Sequence, residues 1–347
     1  MYINFVMSSN VKSKIFDDIY KYFFNYSEHK CFRSIEPVDN ADVYYYFRPH
    51  LEKKLKPNSV VTVHHDLNET CNTLDSKLFI ERYKESKIIT CLNSDQLKYL
   101  KNIGINNTVI IPHGYNKKLL KENIISTNVE KINIGFFSSY YERLVKGEPY
   151  LLNILSKLPI DKYKVTLLGN NRQNLQIDIK NLGFECNLFE NIPYSKINLV
   201  YKDLHFLLIT SNYEGGPASV PEALATTTPI LTRNVGMIKD LNNSKGIFLL
   251  NDNDIESDIN TINYIVNNLP KIKKDIKEKT FFSLKSWQNV IKLYDNTFER
   301  TCPNIDKRLD SVVKVDFMLT NLIYYFRTLH FKKKIKKYFI KKIKGYK

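Results

Sequence analysis

The sequence lacks the cysteine patterns of disulfide-rich and zinc-binding proteins. Its five cysteines are scattered over 347 residues, and none belongs to a Cys-x-x-Cys pair. An odd and dispersed set of this kind indicates neither a disulfide framework nor a zinc site. It is typical of a reducing compartment, so we expect a cytoplasmic protein.

Long apolar runs are also missing. No stretch reaches the roughly 18 apolar residues that a membrane-crossing helix needs, and the opening MYINFVMSSN is too short, and too soon followed by lysine, to be a signal peptide. The sequence therefore predicts a protein that neither crosses a membrane nor carries an export signal. Its 43% hydrophobic residues are enough for the packed cores of two domains.

Acidic residues are absent from the C-terminal stretch. None follows Asp316, whereas Arg327 and the nine lysines of FKKKIKKYFIKKIKGYK together carry ten positive charges. Apolar residues recur there at spacings of three and four, which predicts a helix with one apolar stripe among lysines. We expect this tail to lie on an anionic membrane surface at the inner face of the cell membrane. The alternatives are a solvated helix that caps a domain, and nucleic-acid binding, which we do not expect because no recognition motif is present.

What the sequence does contain is an alternation of short apolar runs with amphipathic stretches, which is typical of an α/β fold with parallel sheets. The predicted strands are 2–6, 43–47, 60–64, 87–91, 108–112, 132–137, 164–168, 205–209 and 229–232. The predicted helices are 75–85, 94–102, 147–157, 194–201, 219–226, 255–269 and 284–298. The polar stretch 114–131 separates two such sets, so we predict domains at 1–120 and 128–298, followed by C-terminal helices over 299–347.

The segment SNYEGGPASVPEALATTTP (211–229) places Glu214 and Glu222 on either side of Gly215-Gly216-Pro217. The preceding run HFLLITS is typical of a buried strand, and the next helix is predicted to start near Ser219. Amides of a glycine turn that enters a helix form a cradle for an anion such as phosphate. Glu222 can accept hydrogen bonds from a diol such as ribose. Ser219-x-x-Glu222 also fits a capping box, and the spacing alone leaves both interpretations open.

Several motifs follow one another in an order that carries a family resemblance. They are VTVHHD (61–66), LNSDQLKYLKNIGI (92–105), IIPHGYN (110–116), INIGFFSSYYERLVKGEPYLLNIL (132–155), VTLLGN (165–170), EGGPASVPEALATTTPILTRNVGMIKDL (214–241) and LKSWQNVIKLYDNTF (284–298). Together they resemble the family 4 glycosyltransferases, retaining enzymes of the GT-B fold with an E-x7-E signature. The resemblance covers about 60–298. It implies two doubly wound, Rossmann-like domains facing a central cleft, with the last helices returning to the first domain.

The resemblance implies a role for each matching residue. Glu214 and His64 would be catalytic residues that face the donor sugar, Glu222 would bind the ribose, and the stretch around Gly169 and Ile192 would contact the base. The donor diphosphate would be neutralised by cations and amides placed where charge develops. The implied diphosphate-binding residues are Arg143, Lys146, Gly215, Gly216, Pro217 and Ala218.

This chain departs from the family pattern at three places, the first being SSNVKSK (8–14) after the first strand in place of the usual glycine-rich loop. The family arginine precedes the lysine by five or six positions, where this chain has Tyr140 and Tyr141, so Arg143 is the candidate partner of Lys146. Thr227 replaces the glycine that usually ends the E-x7-E helix. Because a β-branched residue is costly at positive φ, we expect the helix to end differently there.

The implied activity is that of a hexosyltransferase. Such an enzyme would transfer a sugar, with retention, from a UDP- or GDP-sugar to a hydroxyl of a glycan or lipid-linked acceptor in bacterial surface polysaccharide synthesis. No metal or other cofactor is expected, because the Asp-x-Asp motif at 252–254 opens an amphipathic segment, where Asp is a good N-cap. The alternatives are a GT-B sugar-nucleotide epimerase, a glycan phosphorylase and a non-catalytic membrane-attached partner.

Overall fold

The computed structural model describes residues 1–7, 13–70, 76–120, 131–190, 192, 196–241, 243–252 and 254–302. The strands are β1 (Tyr2–Val6), β2 (Lys30–Ser34), β3 (Val43–Tyr46), β4 (Ser59–Val63), β5 (Ile88–Cys91), β6 (Thr108–Ile110), β7 (Ile132–Phe137), β8 (Tyr163–Leu168), β9 (Glu185–Phe189), β10 (Phe206–Ile209), β11 (Ile230–Thr232) and β12 (Ile247–Leu249). They form two six-stranded sheets with the orders β2-β1-β3-β4-β5-β6 and β12-β11-β10-β7-β8-β9.

Helices alternate with the strands. They are α1 (Lys14–Tyr26), α2 (Ser76–Glu85), α3 (Ser94–Asn102), α4 (Glu148–Leu155), α5 (Gln173–Asn181), α6 (Ile197–Lys202), α7 (Ser219–Ala225), α8 (Ile238–Leu241), α9 (Ile255–Asn267), α10 (Leu269–Asp275) and α11 (Trp287–Thr301). Paired strands run parallel, as β1 does with β2 and β7 does with β8. The predicted α/β class is therefore confirmed. Among the helices of the described residues, none is long and apolar enough to cross a membrane.

The chain divides into two compact units. Among the described residues, one unit comprises Met1–Thr62, Asp75–Thr90 and 291–302, and the other comprises Val63–Leu74 and Cys91–Val290. The boundaries predicted at 120 and 128 remain a prediction. The predicted basic tail lies outside the described residues, and its contact with a membrane remains a prediction.

The first unit has an aromatic core. The Phe5 ring centroid lies 4.7 Å from that of Phe23 and 5.1 Å from that of Tyr45. Buried hydroxyls pair inside it: Thr62 Oγ1 lies 2.5 Å from the Tyr45 hydroxyl and 3.1 Å from the Tyr294 hydroxyl. These bonds satisfy polar groups that burial would otherwise leave without partners.

The second unit has a mainly aliphatic core. Central strands β7 and β10 read INIGFF and FLLI, and every residue of β10 is buried. Because both faces of a central parallel strand are covered, such strands are continuous apolar runs. The loops that follow the carboxyl ends of these strands carry the polar side chains predicted for the site.

Candidate functional site

Glu214 lies in the turn that follows β10. Its Oε1 accepts a hydrogen bond from Lys146 Nζ at 2.6 Å and another from Ser211 Oγ at 2.7 Å. The Glu214 and Lys146 side chains are only 12% and 14% exposed. Water screens such a pair weakly, so the interaction is stronger than a surface ion pair. The structure thus brings together two residues that the sequence assigned to the sugar and the diphosphate.

The two predicted cations meet around one aromatic ring. Arg143 Cζ lies 5.7 Å and Lys146 Nζ 5.4 Å from the centroid of Tyr141, which is cation–π range. Arg143 also forms an ion pair with Glu69. Burial lowers the pKa of Arg143, but an arginine remains charged at neutral pH. Arg143 and Lys146 therefore lie against one ring, and each is paired with a carboxylate; their diphosphate-binding role remains a prediction.

The glycine turn is closely packed on one side. A Cβ added to Gly215 would lie 2.7 Å from the carbonyl oxygen of His64. The carbonyl oxygen of Gly215 accepts a hydrogen bond from Asn93 Nδ2 at 2.7 Å. Gly215 is thus required here for a close approach of two backbone segments. The phosphate-binding role of Gly215, Gly216, Pro217 and Ala218 remains a prediction.

His64 reaches the turn through its backbone. It follows β4, and its ring centroid lies 6.1 Å from that of His113. His113 packs in turn on Trp287 at 5.5 Å, and burial lowers the pKa of His113 to about 4. The His64 ring therefore has an uncharged neighbour at neutral pH. Its predicted contact with the donor sugar stays a prediction.

A small pocket borders the turn. Its lining residues are Asp66, Leu67, Asn68, Asn93, Asp95, Gln96, Glu214 and Gly236. The amides of Asn93 and Gln96 are occupied, since Gln96 Nε2 donates to the carbonyl oxygen of His65 at 2.8 Å and Asn93 donates to Gly215. Ionised carboxylates only accept hydrogen bonds. The pocket is therefore lined mainly by hydrogen-bond acceptors, which suit groups that donate, such as sugar hydroxyls.

Glu222 lies on α7 and is buried, with 8% of its surface exposed. Its Oε2 accepts a hydrogen bond from the Tyr201 hydroxyl at 3.1 Å. Burial, reinforced by the charge of Glu222, raises the pKa of Tyr201, so the phenol keeps the proton that it donates. Glu222 does not line the pocket around Glu214, and its ribose-binding role remains a prediction.

The capping-box alternative does not match the start of α7. The N-cap is Ala218, which makes no side-chain cap, and Ser219 is already the first helical residue. A capping box needs Ser or Thr at the N-cap itself. The burial of Glu222 beside Tyr201 is therefore its main structural feature.

The expectation for the end of α7 was wrong. Thr227 has a φ of 57°, so this β-branched residue adopts the left-handed conformation in place of glycine. The amide of Thr228 donates to Ala223 O at 2.8 Å, and that of Thr227 donates to Leu224 O at 3.1 Å. These two bonds form a Schellman motif, and they hold Thr227 in its strained conformation.

Gly169 and Ile192, predicted to contact the base, are not among the residues that line the pocket bordering Glu214. Gly169 follows β8, and its amide donates to Phe189 O at 3.1 Å, next to the edge strand β9. Ile192 is described, but residues 191 and 193–195 beside it lie outside the described part of the chain. The base-binding role of Gly169 and Ile192 remains a prediction.

Both aspartates of the Asp-x-Asp motif, Asp252 and Asp254, make structural contacts. Asp254 is the N-cap of α9 and accepts from Ser257 N at 3.1 Å, which confirms the N-cap interpretation. Asp252 accepts from Arg233 Nε at 2.6 Å. In the described part of the chain, no group of three or more His, Cys, Asp or Glu side chains could hold a metal ion. Independence from metal stays a prediction.

Three polar residues of this region were missed in the sequence. Ser211 has a local signal, since Ser-x-x-Glu lets a hydroxyl reach the carboxylate three positions later. Glu69 has no such local signal, because its partner Arg143 is distant in the chain. Arg172 is 1% exposed and donates to Glu148 Oε1 at 2.5 Å and to Ser138 O at 2.8 Å. A single arginine between polar residues gives no sign of such burial.

Known proteins match this chain in part of its sequence and in its fold. Residues 121–281 match the family model described as glycosyl transferases group 1, somewhat less than half of the chain. No curated protein matches the sequence. A glycosyltransferase from Rickettsia africae ESF-5 superposes with a TM-score of 0.64 and 14% identity over 88% of this chain and 99% of that one.

Two further solved structures are similar. Sucrose-phosphate synthase from Thermosynechococcus elongatus has a TM-score of 0.66 and 12% identity, covering 86% of this chain and 98% of that one. HepE from Anabaena in complex with UDP-glucose has a TM-score of 0.67 and 14% identity, covering 86% and 100%. At these identities the solved structures establish the fold alone. That fold is GT-B, as predicted, and within it residues 121–281 match the group 1 glycosyltransferases.

Proposed function

We propose that this chain is a retaining glycosyltransferase that moves a sugar from a nucleoside-diphosphate sugar to a hydroxyl of a glycan or lipid-linked acceptor. One observation carries the proposal: Glu214 borders a pocket of hydrogen-bond acceptors and is held by Lys146. A donor sugar needs acceptors for its hydroxyl groups, and its diphosphate needs a cation beside them. The match of residues 121–281 to the group 1 glycosyltransferases supports the same conclusion.

The diphosphate binds to Lys146 and Arg143 in this proposal. Negative charge grows on the leaving diphosphate as the glycosidic bond breaks, and cations placed there stabilise the transition state. Both cations are paired with carboxylates in this structure, Lys146 with Glu214 and Arg143 with Glu69. The donor must therefore exchange places with these carboxylates, which frees Glu214 to accept hydrogen bonds from the sugar.

Glu222 binds the ribose in this proposal. A carboxylate offers two oxygens to a diol, and Tyr201 occupies Oε2 of Glu222 from one side. The phenol orients the carboxylate, and burial strengthens whatever hydrogen bonds it makes. The nucleoside would then lie on the α7 side of the turn, and the sugar on the pocket side.

Retention requires the acceptor to attack from the face that the diphosphate leaves. We propose that the leaving phosphate takes the proton of the acceptor hydroxyl and that no side chain acts as a nucleophile. The donor is a UDP- or GDP-sugar. HepE has been solved with UDP-glucose, which supports a uridine donor. The setting we propose is bacterial surface polysaccharide synthesis at an anionic membrane surface, without a metal cofactor.

A thermal-shift screen against UDP, GDP, CMP and their sugars tests the proposal first. We expect one nucleoside diphosphate and its sugar to raise the melting temperature, because a ligand that binds only the folded state stabilises it. Product analysis with the selected donor follows, with and without chelator and with glycan acceptors. Turnover without acceptor would indicate an epimerase, and consumption of free phosphate a phosphorylase. Failure of every nucleoside diphosphate to stabilise the protein would favour a non-catalytic role.

A further inference from the structure

The segment that carries Lys146 is fastened to the end of β10. Thr210, the first residue after that strand, has its Oγ1 2.8 Å from Lys146 O and 2.9 Å from Gly147 O. Two positions later, the amide of Asn212 donates to Val145 O at 2.9 Å. Three consecutive carbonyls, those of Val145, Lys146 and Gly147, are thus contacted by the strand end that leads into Glu214.

Gly147 permits this contact. Its φ is +71°, and a Cβ built on it would lie 1.9 Å from the carbonyl oxygen of Thr210. Any side chain would therefore push the Lys146 segment away from β10. The closeness of the two backbones is a property of these residues, because glycine alone adopts this conformation at such a distance without a clash.

Arg233 holds the same strand end, and its Nη1 would lie 2.9 Å from a Cβ built on Gly147. It follows β11, and its Nη1 donates to the carbonyl oxygen of Thr210 and, at 2.5 Å, to Asn212 Oδ1. The guanidinium is fixed in turn by Asp252, at 2.6 Å from Nε, and by the Tyr150 ring, whose centroid lies 4.6 Å from Cζ. Planar guanidinium groups with several fixed donors orient their acceptors closely.

We propose that Thr210 and Arg233 are positioning residues of the donor site. They fix the backbone of Lys146 so that its ammonium group stands 2.6 Å from Glu214, at the place where the diphosphate binds. The inference rests on the proposed function, because it takes Lys146 to serve the diphosphate. Neither Thr210 nor Arg233 needs to touch the donor. Their effect reaches it through the main chain of residues 145–147.

The prediction concerns the phosphate part of the ligand alone. Replacing Thr210 by valine keeps the shape of the side chain and removes the hydroxyl, so the carbonyl of Lys146 loses this donor, whereas that of Gly147 still accepts from the amides of Tyr150 and Leu151. Lys146 then samples other positions. Affinity for a nucleoside diphosphate falls, whereas affinity for the nucleoside, which has no phosphate, is unchanged.

The test compares wild type, Thr210→Val and Thr210→Ser by calorimetry, with UDP and with uridine as ligands, or with GDP and guanosine if the screen selects them. We expect Thr210→Val to weaken UDP binding about tenfold, the effect of one hydrogen bond, with uridine binding unchanged. Thr210→Ser retains the hydroxyl and should bind UDP within about twofold of wild type. Arg233→Gln, which removes the contacts to Thr210 O, should behave like Thr210→Val and replaces it if that variant fails to fold.

The outcomes separate this inference from the proposed function. UDP binding by Thr210→Val and Arg233→Gln at the wild-type level would overturn the inference alone. An equal loss of UDP and uridine affinity would overturn it too, because a general structural role predicts that pattern. If wild type binds no nucleoside diphosphate, the proposed function fails, and the inference fails with it.

Discussion

The turn with Glu214 and the helix with Glu222 are adjacent in sequence and are held in different ways. Glu214 depends on a partner 68 residues away, Lys146, and its turn packs on the backbone of His64. Glu222 is held by burial and by the Tyr201 hydroxyl. The turn is therefore built by polar contacts that a ligand can replace, and the helix by packing that a ligand cannot. Changes in the turn should alter chemistry first, and changes in the helix should alter binding and stability together.

The largest expected effect is that of Glu214→Gln on turnover. The amide keeps the shape of the side chain but loses the charge that acts on the sugar and pairs with Lys146. We expect kcat to fall by roughly 100-fold or more, the range seen when one preorganised electrostatic group is removed. UDP affinity should be equal or higher, because Lys146 no longer has a competing carboxylate. Steady-state kinetics and calorimetry measure the two effects.

Glu142→Gln is the matched control for this change. Glu142 is exposed and belongs to the same loop as Arg143 and Lys146, so its substitution removes a nearby charge without touching the pair. It should leave kcat within about twofold of wild type, since surface substitutions have small effects. A wild-type kcat for Glu214→Gln would show that the carboxylate has no part in transfer.

The next effect is that of Glu222→Ala on nucleotide binding. We expect a loss of about 1.5–3 kcal/mol in binding free energy, the value of hydrogen bonds to a charged group. The melting temperature should fall as well, because the Tyr201 hydroxyl then has only Ser219 O, at 3.3 Å, as a partner in the described structure. Tyr201→Phe isolates the orienting bond and should lose less affinity. If Glu222→Ala lowered stability while binding UDP as well as wild type does, Glu222 would be a core residue alone.

The sequence predicted the central strands of the two sheets better than it predicted their edge strands. Strand β7, INIGFF, was predicted at its observed bounds because a strand covered on both faces is a continuous apolar run. The missed strands β2, β9 and β12 all lie at sheet edges. In β9, ECNLF, exposed residues alternate with less exposed ones, and a single five-residue alternation does not stand out from a loop.

In the candidate site, the sequence predicted the features that depend on neighbouring residues and missed the contacts between residues that are distant in the chain. The E-x7-E motif placed Glu214 after a buried strand and Glu222 on the following helix, because strand, turn and helix signals are local in sequence. The pairing of Glu214 with Lys146 arises only where the loops after β10 and β7 meet, and that of Arg143 with Glu69 only where the loop after β7 meets the loop after β4. Burial of Glu222 against Tyr201 likewise depends on where α6 packs, which no spacing reveals.

Gly215→Ala should lower stability by about 1–3 kcal/mol, the usual cost of overpacking. Its new Cβ would meet the His64 carbonyl oxygen at 2.7 Å, and backbone cannot move aside cheaply. Gly216→Ala is the graded comparison. Its Cβ would meet Leu92 Cδ1 at 3.0 Å and Leu92 Cβ at 3.1 Å, so the overlap is smaller than at Gly215 and involves side-chain atoms only. Urea unfolding of both variants measures the difference, and equal losses would mean that the 64–65 segment moves away from the turn.

The smallest expected effect is a gain, from Thr227→Gly at the end of α7. A non-glycine residue in the left-handed conformation costs on the order of 1–3 kcal/mol, whereas glycine adds roughly 0.5–1 kcal/mol of unfolded-state entropy. The net gain should be about 1 kcal/mol in the free energy of unfolding. Thr228→Gly, one position further, is the control: Thr228 is buried and has no positive φ, so glycine should destabilise there. A gain at 227 with unchanged UDP affinity would show that the strain at the end of α7 does not reach Glu222, and that burial beside Tyr201 fixes this carboxylate independently of how its helix ends.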